Sequence, residues 1–194
     1  MKPAMLLLGC SLVLAACGQQ GEPDEPLTEM TADTEAMEPG TSMPGGEDAR
    51  AEIRDAEGNS HGVVLLRDAD FGVLLSGTLT GFSPGEHGFH IHETGSCEPP
   101  TFESAGRHFA PEGRQHGFHN PEGPHAGDLR NLVVLQDGSA IVDGADSLVT
   151  LREGPNALLD ADGAALVVHP NPDDYRTQPS GGSGDPIACG VIEG

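Results

Sequence analysis

The chain has no tryptophan, one tyrosine, and only nine Lys and Arg against 31 Asp and Glu, giving a formal net charge of -22. The phosphates of a nucleic acid would be repelled by such a surface, so nucleic-acid binding is excluded. The same charge disfavours the approach of a small anionic substrate. No window sustains a helical apolar period, which argues against a helical domain. The one long apolar run, residues 5–16, is too short to span a bilayer.

That run, preceded by Lys2, has the form of an export leader. It closes on Leu14-Ala15-Ala16-Cys17, which resembles the lipobox of bacterial lipoproteins and implies cleavage before Cys17 and lipid attachment to it. Residues 18–48 contain no basic and no aromatic residue and cannot bury enough apolar surface to offset ordering entropy. The expected organisation is a lipoprotein signal peptide at 1–16, a lipidated cysteine with a disordered acidic tether at 17–48, and a folded domain at 49–194. Such a protein would be exported and lipid-anchored in the cell envelope, on a periplasmic or cell-surface face. Gly18, rather than an aspartate, after Cys17 points to the outer membrane. With Cys10 and Cys17 in the leader region, Cys97 and Cys189 remain for the domain and most simply form one disulfide in an oxidising compartment.

Within the domain, short segments rich in Val, Ile, Leu and Thr alternate with turns built on Gly, Pro, Asn and Asp. Strands are expected at 51–56, 62–67 (GVVLLR), 73–80 (VLLSGTLT), 89–93, 129–135, 140–142 and 164–169. The pattern is that of an all-β sandwich or barrel. Two long stretches, 94–127 and 170–188, interrupt it, and loops of that length in a compact domain usually carry function.

The segment GFHIHETGSC places His90 and His92 two apart on a strand, so both project to one side while Ile91 faces the core. An HxH pair alone is a weak signal. The first long loop, however, adds His108, His116, His119 and His125, with Asp128 at its end, and His169 closes the apolar strand ALVVH. So many histidines beside one aspartate cannot all be satisfied core residues. Imidazole with carboxylate is a zinc ligand set, and four imidazoles suit copper(II).

GFHIHETGSC, SAGRHFAP, His116, HAGDL, GAALVVH and IACGVI occur in an order that resembles the copper/zinc superoxide dismutase family. The match runs from residue 49 to the C-terminus. The resemblance implies a flattened eight-stranded Greek-key β-barrel, an Ig-like sandwich, with two long functional loops. It implies copper on His90, His92, His108 and His169, and zinc on His108, His116, His125 and Asp128. The ring of His108 would then bridge both metals and shuttle a proton. It also implies a Cys97–Cys189 disulfide that anchors the ligand-bearing loop, a structural role for His87, and a hydrogen-bonding role for Asp173 toward ligand histidines of both metals. His61 and His119 match no family role and are read as exposed imidazoles.

The activity so implied is disproportionation of superoxide to dioxygen and hydrogen peroxide, with no organic cofactor. One departure bears on it. Pro186 stands where the family carries a channel arginine, two residues before the Ala-Cys of ACGVI, so anion steering is expected to be weakened. Arg107 and Arg176 are the candidates for replacing that charge. The alternative reading is a non-enzymatic copper/zinc-binding module for buffering or delivery. The sequence leaves monomer and homodimer both open.

Overall fold

The computed structural model describes residues 49–194, and the expectations for the leader, Cys17 and the acidic tether fall outside those residues. Nine strands and one short 3-10 turn make up the regular structure, with no α-helix among the described residues. The strands are β1 (Ala49–Asp55), β2 (Ser60–Ala69), β3 (Gly72–Thr80), β4 (Gly85–His87), β5 (Phe89–His92), β6 (Leu132–Val134), β7 (Ser139–Asp146), β8 (Ala165–Val168) and β9 (Ala188–Glu193).

An antiparallel sheet runs in the order β5-β8-β9-β1-β2-β3-β7, and β4 pairs separately with β6. The eight strands expected become nine because one is broken at Gly88. Its first part pairs with β6 and its second with β8. A side chain on Gly88 would collide with Ser183, so the switch of partner occurs where the chain must pass close to another segment. Strand β6 is shorter than the apolar run 129–135, and β7 extends through Asp143 and Asp146, whose polarity disguises a strand paired with Val73–Ser76.

Period-two burial builds the core. In β1, Ala49, Ala51 and Ile53 are buried while Arg50, Glu52 and Arg54 are exposed. Ile53, Leu66, Leu79, Ile91 and Leu166 are among the largest fully buried side chains; each contributes about 1.5–3 kcal/mol relative to exposure. Strands β5 and β8 are buried on both faces. Phe89, Ile91, Leu166 and Val168 point into the main core. On the other face, Ala165 and Val167 join Cys189, Phe102 and Ala105 in a small second core. Register sets His90 beside Val167 and His92 beside Ala165, so the histidines share that second face. The long first loop covers it, pinned by the Cys97–Cys189 disulfide with a Cα–Cα distance of 5.7 Å.

Candidate metal centre

The first loop returns twice to the free edge of β5. Bridges form at His92–His108 and His90–Asp128, and backbone bonds run from Phe109 N to Ile91 O and from Ile91 N to Gly127 O, both 2.9 Å. A Cβ on Gly127 would overlap Ile91 O, so a glycine is required for that approach. The two returns bring His108 and Asp128 beside the strand histidines. His169, at the end of β8, is held by its own N–H to Gly88 O at 2.8 Å.

Each strand histidine spends one ring nitrogen on a protein acceptor. His90 Nε2 donates to Asp173 Oδ2 at 2.9 Å, His92 Nδ1 to Gly106 O at 2.9 Å, and His169 Nδ1 to Gly184 O at 2.7 Å. These bonds fix tautomer and ring orientation. The opposite nitrogens, His90 Nδ1, His92 Nε2 and His169 Nε2, are buried with no partner, as is His108 Nε2. Ligand atoms of these four residues lie within 4.8 Å of one another. Unpartnered buried polar atoms are rare because each costs its desolvation. Four converging on one point form a cradle for a metal ion.

The second set is built on a carboxylate. Asp128 Oδ2 accepts from Gly117 N at 2.8 Å and His125 N at 3.0 Å, which leaves Oδ1 facing three rings. His108 Nδ1, His116 Nδ1 and His125 Nδ1 stand 2.8, 3.0 and 3.3 Å from that one oxygen. Ligand atoms of His108, His116, His125 and Asp128 again lie within 4.8 Å of one another. His108 is therefore common to both sets, offering Nε2 to one and Nδ1 to the other. Asp173 ties them a second time: its Oδ2 accepts from His90, and its Oδ1 accepts from His116 Nε2 at 3.0 Å.

The charge states fit metal binding. Burial pushes His90 down to about 3 and His169 to about 4, and it also lowers His92 and His108. These rings are neutral at pH 7, with lone pairs free to coordinate. His116 differs. Burial alone would lower it, but the carboxylates on its two nitrogens, Asp128 and Asp173, raise it to about 9. Burial would likewise raise Asp128 and Asp173, yet their histidine hydrogen bonds hold both below the usual carboxylate range. The second set is thus a place where positive charge is favoured.

Other expectations can be placed as directly. His87 is buried, with Nδ1 2.7 Å from His169 O and Nε2 2.9 Å from Ser83 O, as a structural residue would be. His119 is exposed. His61 is not: it stacks on Phe82 at 4.3 Å, and its Nδ1 lies 2.6 Å from Thr80 O. Arg107 reaches into solvent and pairs with Glu93 at 3.3 Å. Arg176 is exposed on the second long loop, with its N–H bonded to Asp174 Oδ1. Gly184 O meets the His169 ring at 2.7 Å, and the Asp185 carboxylate bears on its charge. A single sequence gave no signal for Gln178, which bonds His116 N and His116 O at 3.0 and 2.9 Å and so holds the backbone of that residue.

A sequence model of the family described as copper/zinc superoxide dismutase (SODC) matches residues 60–192. Superoxide dismutase [Cu-Zn] 2 of Aquifex aeolicus (strain VF5) is 47% identical over 146 residues, covering 74% of this chain and 85% of the relative. Superoxide dismutase-like protein YojM of Bacillus subtilis (strain 168) is 38% identical, covering 98% of this chain and 95% of the relative. The crystal structure of a SOD-like protein from Bacillus subtilis matches with a TM-score of 0.71 at 41% identity, covering 73% of this chain and 96% of that one.

Proposed function

The chain belongs to the copper/zinc superoxide dismutase family, and on that premise we propose that His90, His92, His108 and His169 hold copper while His108, His116, His125 and Asp128 hold zinc. The donors support this division. Four neutral imidazoles suit copper(II), and three imidazoles with one carboxylate form a closed tetrahedral zinc site. The protein is a superoxide dismutase that works with copper and zinc. Bound copper supplies one-electron redox chemistry, so two superoxide anions and two protons become one dioxygen and one hydrogen peroxide.

The observation that carries the assignment is the ring of His108, with one nitrogen in each set. Its Nδ1 lies in the Asp128 cluster, while its Nε2 faces the copper set, where it would hold and pass on one of the two protons that the reaction consumes. His92 and His169 are oriented by the carbonyls of Gly106 and Gly184, and His90 by Asp173. Asp185, whose charge bears on His169, and Pro186, which follows it in the chain, make the approach less attractive to an anion than an arginine would. Steering is weakened accordingly, with Arg107 and Arg176 as the candidates to assist.

The same proposal places the protein in the cell envelope. Cys17 is the lipid-bearing residue, residues 18–48 are the tether, and the domain faces away from the cytoplasm, on the outer membrane. The test is metal analysis together with superoxide turnover on the copper- and zinc-loaded protein. One copper and one zinc per chain with rapid turnover is expected; tight copper binding with negligible turnover would instead favour a metal-binding module. Release of Cys17→Ser from the membrane fraction tests the anchor.

A further inference from the structure

Asp173 can serve His90 and His116 at once only if its backbone is held so that its two oxygens diverge toward different rings. Its own loop holds the carboxylate, through Tyr175 N–H to Oδ1 at 2.6 Å, but the main chain of residue 173 is held from elsewhere. The clamp comes from Asn131, three residues beyond Asp128 and just before β6. Asn131 Oδ1 accepts from Asp173 N at 2.9 Å, and Asn131 Nδ2 donates to Asp173 O at 3.0 Å, so one amide plane closes both main-chain groups of residue 173. Asn131 is fixed in turn. Its own N–H donates to Tyr175 Oη at 2.8 Å, and Nδ2 also reaches Glu86 Oε2 at 3.4 Å. Tyr175 sits in the left-handed region at φ 59, and its N–H donates to Asp173 Oδ1 at 2.6 Å. The ring closes as Asn131, Asp173 and Tyr175, joining the start of β6 to the second long loop.

We propose that Asn131 is a positioning residue for both metal sets, acting through Asp173 to hold His90 and His116 in their ligating orientations. It rests on the ligand assignment above. Because the amide meets backbone atoms, no other side chain of similar size offers both an acceptor and a donor in that plane. Aspartate would set a carboxylate oxygen against Asp173 O. Tyr175 contributes through one bond to the Asn131 N–H, so its hydroxyl is secondary to the amide.

The test compares wild type, Asn131→Ala, Tyr175→Phe and a core variant, Ile53→Val, that lowers stability away from the site. In the metal-free protein, nitrogen-15 NMR reads the ring Nε2–H groups of His90 and His116, which should exchange slowly when bonded to Asp173. Asn131→Ala is expected to lose both protected signals, Tyr175→Phe to weaken them, and Ile53→Val to keep them. Cobalt(II) titration, as a probe for the zinc set, should show a tenfold to hundredfold loss of affinity in Asn131→Ala, the range for groups that orient metal ligands. Protected signals and wild-type cobalt affinity in Asn131→Ala would overturn the inference, as would equal losses in Ile53→Val. Failure of wild type to bind cobalt would sink the ligand assignment instead, and the NMR comparison would still decide the role of Asn131.

Discussion

Gly181 lies so close to Asp173 that a methyl group added to it would overlap the Asp173 carboxylate and stand 2.8 Å from His116 Nε2. At φ +69 the residue also occupies a conformation that favours glycine. Gly181→Ala should therefore push Asp173 off His116 and weaken zinc binding by about tenfold or more. Competition for zinc with a chromophoric chelator measures this, and unaltered affinity would show that the Asp173–His116 bond does not orient the ligand.

An acidic approach to the proposed copper set predicts gains of function. Pro186→Arg should raise kcat/KM by about tenfold at low ionic strength, the lower end of the range for local steering fields, and the gain should shrink as salt rises. Asp185→Asn should act in the same direction but less. Pulse radiolysis against ionic strength reads both. Arg107→Ala and Arg176→Ala should lower the rate if those cations assist; rates and salt slopes equal to wild type would remove them from the account.

The disulfide closes a separation of 92 residues and ties the loop of His108 to the second core. Replacing Cys97 and Cys189 with serine should cost about 2–5 kcal/mol of stability. Urea unfolding of the metal-free domain measures the loss. Copper and zinc should also bind more weakly, because Ala105 and Phe102 no longer hold the segment that leads into His108.

Asp146 carries a pH prediction. It is 7% exposed, its Oδ1 accepts from Leu148 N, and its Oδ2 has no partner. Burial raises its carboxyl to about 6 from an ordinary 3.8. A raised folded value means that the native state holds the proton more tightly, so this favourable contribution is full below pH 3.8 and is lost as pH rises through 6. Asp146→Asn should then gain about 1–2 kcal/mol at pH 8 and nothing at pH 4, since it removes a buried charge present only at the higher value. Equal effects at both pH values would contradict the burial argument.

Much of the site could be read from residue order. Alternation in FHIH gave the shared face of His90 and His92, while the grouping of His108, His116, His125, Asp128 and His169 into two sets came from the family resemblance. What escaped was set by tertiary structure. Strand β4, three residues that begin with Gly85 directly after Pro84, has no period to detect. In β7, Asp143 and Asp146 look like turn residues, yet pairing with β3 makes them strand. His61 gave no hint of stacking on Phe82. Gln178 and Asn131 act by meeting backbone atoms 62 and 42 positions away, a relation that local sequence does not encode.

The shared ring of His108 is the claim on which the rest depends, and the direct measurement is the electron paramagnetic resonance spectrum of the copper-loaded domain with the Asp128 set filled by zinc and then emptied. The account predicts that the cupric signal changes on zinc removal and returns on zinc addition, because the ring that would hold copper through Nε2 would also be held at Nδ1 by zinc. A cupric signal identical in both states would contradict it.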